Sequence, residues 1–127
     1  MPAKKILFVD DEQELLDIYS SKLKEAGYAV VCASDGMEGL KKAKAEKPDL
    51  ILLDLKMPGM NGIEVFEKLQ EDPELKNIKV AFLTAFSDPA QSQVDKSFAK
   101  EIGATDFIRK GLDLNELVNK VRHYFES

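Results

Sequence analysis

The residues best suited to chemistry are Asp10, Asp11, Asp54, Thr84 and Lys110. They stand at or just beyond the ends of short apolar runs. Ile6-Leu7-Phe8-Val9 leads into Asp10-Asp11, Leu50-Ile51-Leu52-Leu53 into Asp54, Val80-Ala81-Phe82-Leu83 into Thr84, and Phe107-Ile108 towards Lys110. If the runs are parallel strands, these carboxylates, the hydroxyl and the ammonium meet at a single edge of one sheet. Like charges packed this closely repel, so the cluster makes sense with a compensating cation. Carboxylate oxygens with spare water positions suit Mg²⁺, a hard ion that takes few protein ligands. The chemistry indicated is a Mg²⁺-dependent phosphate or acyl-phosphate site. Singly, each residue has a plainer role. An Asp after a strand is a common turn or cap residue, Asp11 is placed to cap the next helix, and a lone Lys is usually a solvated charge. Their joint position at strand ends is what favours a site.

The elements that must position them follow from the hydrophobic pattern. With Ala29 to Ala33 the apolar runs number five, and they are near-continuous rather than alternating. That is the pattern of parallel strands covered on both faces. Helical stripes lie between them. Leu15, Leu16, Tyr19, Leu23 and Ala26 form the first, stopped by Gly27. Ser34 or Asp35 caps a second with Leu40 and Ala43, and Pro48 closes its exit. Ile63, Phe66 and Leu69 mark a third, ended by Asp72-Pro73. Ser87-Asp88-Pro89 opens a fourth, with Val94, Phe98 and Ile102 on one side and Gly103 as its stop. Asp113 to Glu116 resembles a capping box before Leu117, Val118, Val121 and Phe125. The sequence therefore predicts a (βα)5 α/β domain. An open, doubly wound sheet is favoured over a closed eight-stranded barrel, which needs about 250 residues. In such a sheet the ligand site lies at the carboxyl ends of the strands.

Composition narrows the function classes. The 127 residues carry 18 Lys+Arg against 23 Asp+Glu, a formal charge of −5, with no basic cluster for non-specific nucleic-acid binding. Hydrophobic residues at 44% and charged residues at 32% are ordinary for a globular chain. No apolar run is long enough to span a bilayer, and no secretory signal is visible. The single Cys32 cannot form an intramolecular disulfide and reads as a small core residue. His123, unaccompanied, reads as a surface residue complementing a helix dipole rather than a metal ligand. The expectation is one domain over residues 1–127, cytoplasmic, ending at Ser127 without room for another.

Several stretches together carry a resemblance. Asp10-Asp11, Asp54-Leu55-Lys56-Met57-Pro58-Gly59-Met60-Asn61-Gly62, Leu83-Thr84-Ala85 and Gly103 to Lys110 resemble the receiver domain of bacterial response regulators, the CheY-like proteins of two-component signalling. The resemblance implies a flavodoxin-like fold with strand order 2-1-3-4-5. It implies that Asp54 accepts a phosphoryl group from a sensor histidine kinase or a histidine phosphotransfer protein. Mg²⁺ would be held by Asp11, Asp54 and the main-chain carbonyl of Lys56, with Asp10 acting directly or through water. Lys110 and the Thr84 hydroxyl would contact phosphoryl oxygens, helped by backbone N–H groups near Lys56 and Ala85. Phosphorylation would draw Thr84 inward and turn Phe107 into the vacated space. That would remodel the face of the fourth helix, fifth strand and fifth helix for a downstream protein target, with no nucleic acid or membrane contacted directly. The domain would act as a switch rather than an enzyme.

Two features depart from the family pattern. Gly111 follows Lys110 where the family usually has Pro, so a trans or mobile Lys110–Gly111 turn is expected. The segment from Thr84 to Gly103 is longer than typical by about one helical turn, the extra residues falling in 86–93, and is expected to remodel the output face. Lys56 and Phe86 flank the acceptor where the family tunes phosphoryl lifetime, and Phe86 is placed to shield it from water. The competing readings are an aspartyl-nucleophile phosphohydrolase, a flavin-binding module, and a receiver cut from a larger regulator. The first usually carries an Asp where Lys56 stands, and the second would not place Asp10-Asp11-Glu12 beside a phosphate without Mg²⁺.

Overall fold

The computed structural model describes residues 3–84 and 101–126. Five strands form one parallel sheet in the order β2-β1-β3-β4-β5: β1 (Lys5–Val9), β2 (Ala29–Ala33), β3 (Leu50–Asp54), β4 (Lys79–Thr84) and β5 (Asp106–Arg109). Among the described residues four helices accompany it: α1 (Gln13–Glu25), α2 (Gly36–Glu46), α3 (Gly62–Glu71) and α4 (Leu114–Glu126). The predicted doubly wound architecture and strand order are those observed. The fourth predicted helix, with Val94 and Phe98, lies outside the described residues except for its last two, Glu101 and Ile102, which are helical.

Period-two geometry divides the strand residues between two cores. Leu7, Val9, Ile51, Leu53, Val80, Phe82 and Phe107 pack on one face with Val65, Phe66 and Leu69 of α3. Ile6, Phe8, Leu50, Leu52, Ala81, Leu83 and Ile108 pack on the other with Leu16, Tyr19 and Leu23 of α1 and Leu117 and Val121 of α4. Covering both faces is why the runs read as continuously apolar. Edge strand β2 is the exception, with only Ala33 fully buried, and Cys32 there is half-buried rather than core.

Local chemistry sets the helix ends. The Asp35 carboxylate accepts from the Glu38 N–H at 2.8 Å and caps α2. Asn61 and Glu64 form a reciprocal capping box that starts α3 beside the strand-end loop. Asp113 caps α4 by accepting from the Asn115 N–H at 2.7 Å rather than through a bond to Glu116. At α1 the expectation for Asp11 is corrected: the cap position is Glu12, with no side-chain cap bond, and its N–H donates to Asp10 Oδ1 at 2.9 Å. Asp10, one residue earlier, already satisfies that donor, which leaves Asp11 exposed at the strand ends.

Candidate functional site

Register brings the first two carboxylates together. Val9 pairs with Leu53, so the chain continues side by side into Asp10 and Asp54. Both are buried, Asp10 at 0% and Asp54 at 2% exposure. Thr84 closes β4 beside them and is also buried. Its carbonyl accepts from the Lys110 N–H at 2.7 Å, which carries Lys110 over the same edge. The Lys110 ammonium lies 3.0 Å from Asp10 Oδ2, 3.0 Å from Asp54 Oδ1 and 2.9 Å from Glu12 Oε1. The exposed carboxylates of Asp11 and Glu12 complete the cluster; ligand oxygens of Asp10, Asp11 and Glu12 lie within 4.8 Å of one another. One ammonium thus pairs with three carboxylates, and Asp11 adds a fourth to the cluster.

The electrostatics follow from that imbalance. Burial pushes the Asp54 carboxyl up from 3.8 to about 6; the Asp10 charge adds to the rise, while Lys110 and the Lys56 backbone N–H oppose it. Burial also raises Asp10, against the Glu12 N–H and Lys110. For Lys110, burial acts to lower the pKa, but the Glu12, Asp10 and Asp54 carboxylates outweigh it and hold the ammonium above its ordinary value. Among the described residues Asp54 Oδ2 is buried without a hydrogen-bond donor, and Asp10 Oδ2 faces the Lys110 ammonium that it shares with Asp54 and Glu12. An unsatisfied buried acceptor costs about 1–3 kcal/mol. Acceptor-only oxygens beside exposed carboxylates are the donor set a hard divalent cation satisfies, so the residues present fit Mg²⁺.

The loop after β3 has its own constraint. A Cβ at position 62 would lie 2.4 Å from the Asp54 carbonyl oxygen and 3.0 Å from Leu55 Cα, both backbone atoms that cannot swing aside. The Gly62 N–H donates to the Leu55 carbonyl at 2.9 Å, folding α3 back against the acceptor strand. Met57 is buried in the core and anchors the loop, while Lys56 is exposed and offers its N–H to Asp54. This close approach is the physical reason for glycine at the end of the Asp54–Gly62 stretch.

Behind the site Phe107 is buried and packs on Phe82 at 5.1 Å between centroids, and Phe82 packs on Phe66 at 5.5 Å. Phe107 and Lys110 also line a cavity of about 310 Å³ with Glu116 and Lys120 of α4, so one hollow touches both β5 and the last helix. The Lys110–Gly111 bond is trans, as expected, and Gly111 adopts φ +87°. Ala85, Phe86 and the lengthened stretch 86–93 lie outside the described residues. The structure thus brings together Asp10, Asp11, Asp54, Thr84 and Lys110. Glu12 was not among the expected site residues, and its place directly after the Asp pair was the available signal. Tyr19, read only as part of an apolar stripe, reaches the turn after Lys110 through its hydroxyl.

Comparisons with known proteins agree with this geometry. Residues 6–122 match the family described as the response regulator receiver domain. The chain is 39% identical over 119 residues to the alkaline phosphatase synthesis transcriptional regulatory protein PhoP of Bacillus subtilis. That match covers 94% of this chain and 47% of the relative, so the chain spans about half the length of the curated protein it matches. Among solved structures, the chemotaxis response regulator CheY4 of Vibrio cholerae superposes with a TM-score of 0.84 at 30% identity, covering 95% of this chain and 98% of that one. A CheY-like receiver domain protein of Methanospirillum hungatei gives 0.83 at 31% identity, covering 98% and 94%.

Proposed function

Because the chain belongs to the response regulator receiver family, we propose that it is a phosphorylation-controlled switch with Asp54 as its phospho-acceptor. The observation that carries this reading is the Asp54 carboxylate itself: buried, with Oδ1 3.0 Å from Lys110 and Oδ2 without a donor. In the reaction an Asp54 oxygen forms the new bond to phosphorus. The P–N bond of a phosphohistidine, on a sensor histidine kinase or phosphotransfer protein, breaks. The imidazole leaves with the electron pair and is then protonated.

Asp11, Asp54 and the Lys56 carbonyl are the residues to hold Mg²⁺, with Asp10 acting directly or through water. When bound, the ion offsets charge on the phosphoryl oxygens. Lys110, fixed beside Asp54, pairs with one phosphoryl oxygen and the Thr84 hydroxyl donates to another. In this reading the chain acts as a switch rather than an enzyme, and the group it accepts stays on its own side chain until water removes it.

The added dianion needs donors, which draws Thr84 towards it. As the family resemblance implies, Phe107 then turns into the space Thr84 vacates, and the face of the fourth predicted helix, β5 and α4 changes for a downstream protein partner. Among the described residues no helix is long and apolar enough to cross a membrane. A second reading is favoured by the coverage of PhoP: the chain is the receiver part of a larger regulator whose output lies elsewhere. The complete coding sequence distinguishes the two.

The test is an intact-mass comparison after incubation with acetyl phosphate. Wild type with Mg²⁺ should gain one phosphoryl group, and Asp54→Asn or wild type in EDTA should gain none. Equal adducts on wild type and Asp54→Asn would overturn the acceptor assignment, and an undiminished adduct in EDTA would overturn the metal dependence.

A further inference from the structure

We propose that Tyr19 is a positioning residue for Lys110, acting through the backbone N–H of Gly111. The inference rests on the phospho-acceptor reading above and deepens it. Lys110 is the sole cation within reach of Asp54 among the ion pairs of the described residues, and its side chain is long and rotatable. Where its ammonium sits therefore depends on how firmly its backbone is held. That backbone is fastened on both sides. Its own N–H donates to the Thr84 carbonyl of β4 at 2.7 Å. The next N–H, of Gly111, donates to the Tyr19 hydroxyl of α1 at 3.2 Å.

The Tyr19 ring cannot wander. It is 3% exposed and sits edge-on against Phe8 of β1, with centroids 5.5 Å apart and planes at 65°. Its hydroxyl is thus a fixed acceptor presented from the helix core to the turn. At φ +87° Gly111 takes a conformation that L side chains rarely adopt, while a Cβ there would meet nothing within 4 Å. Glycine is needed at 111 for the backbone angle, not for space. In this conformation the N–H points to Tyr19, and a proline would have none to offer. Hydrophobic packing accounts for an aromatic ring at position 19. The hydroxyl is what packing alone does not require, and it accepts from the Gly111 N–H in the turn that carries Lys110.

Loosening that turn spreads the ammonium over more positions and lowers the fraction aligned with the transferring group. The experiment measures the initial rate of phosphoryl-adduct formation from acetyl phosphate with Mg²⁺, by intact mass. The proteins are wild type, Tyr19→Phe, Lys110→Ala and the double variant, each checked for cooperative urea unfolding. Tyr19→Phe should slow the reaction about three- to tenfold, the span of one neutral hydrogen bond. In the Lys110→Ala background Tyr19→Phe should change nothing further, because the residue it positions is gone. The Gly111 amide should also exchange with deuterium faster in Tyr19→Phe than in wild type. A wild-type rate for Tyr19→Phe overturns the inference. So does the same fractional loss in the Lys110→Ala background, which marks a general packing effect. If wild type itself gains no phosphoryl group, the acceptor reading fails and takes this inference with it. If wild type is phosphorylated and Tyr19→Phe matches it, only the role of Tyr19 fails.

Discussion

Replacing Asp54 by Asn should make the metal-free protein more stable at neutral pH, although it removes a partner of Lys110. Burial and the neighbouring Asp10 charge raise the folded-state pKa of Asp54 from 3.8 to about 6. The native state therefore holds this proton more tightly than the unfolded chain does. The stabilisation linked to it is fully present below the unfolded value and is lost as pH rises through the folded one. Above that window the ionised carboxylate is carried at a cost. At 1.36 kcal/mol per pKa unit the cost has a ceiling of about 3 kcal/mol. Asn is neutral and nearly isosteric, so it escapes the penalty while keeping the shape. Urea denaturation in EDTA reads the difference directly. At about pH 7.5 Asp54→Asn should exceed wild type by about 1–3 kcal/mol, and at about pH 4.5 the gap should fall to about a third of that. Excess Mg²⁺ at the higher pH should narrow the gap as well, by stabilising wild type alone. A less stable Asp54→Asn at neutral pH, or a gap that ignores pH, would refute the reasoning.

Other consequences concern the scaffold around the site. Gly62→Ala sets a methyl group against the Asp54 carbonyl; it should cost about 1–3 kcal/mol in urea denaturation and slow adduct formation, because the displaced backbone carries the acceptor. Asn61→Ala removes the α3 capping box and should cost about 1 kcal/mol while leaving Asp54 phosphorylatable, checked by denaturation and intact mass on the same sample. Tyr124→Phe removes the 2.6 Å hydrogen bond to Asp106 at the start of β5; the expected loss is about 1.5–3 kcal/mol, again read by denaturation.

Much of the fold was legible because burial on both faces leaves continuous apolar runs. Those runs locate all five strands but not their full lengths. Lys5 and Lys79 begin β1 and β4, and Asp54 and Thr84 end β3 and β4. Charged and polar ends do not announce a strand, because their side chains answer to the rim rather than the core. The site residues at strand ends were legible for the same reason in reverse: once the strands are parallel, Asp10, Asp54, Thr84 and Lys110 must share an edge. What depends on loop path was not. The bond from Asp10 to the Glu12 N–H displaces Asp11 from the cap. The reach of Lys110 to Glu12 and of Gly111 to Tyr19 spans 98 and 92 residues of sequence. Contacts of that kind are set by how the last turn crosses α1, which no local pattern encodes. The asparagine cap of α3 is local, with Glu64 three residues after Asn61, but it sits inside the Asp54–Gly62 stretch, where the aspartate and the glycines carry the stronger signal.

Chemical trapping at residue 54 tests the central claim most directly. The protein is incubated with acetyl phosphate and Mg²⁺, reduced with borohydride, digested, and sequenced by mass spectrometry. Borohydride converts an aspartyl phosphate to homoserine and leaves a free carboxylate untouched. The account predicts homoserine at position 54, dependent on Mg²⁺ and lost in Asp54→Asn. Homoserine at Asp10 or Asp11 with Asp54 intact, or none at all in a protein that carries the phosphoryl mass, would contradict it.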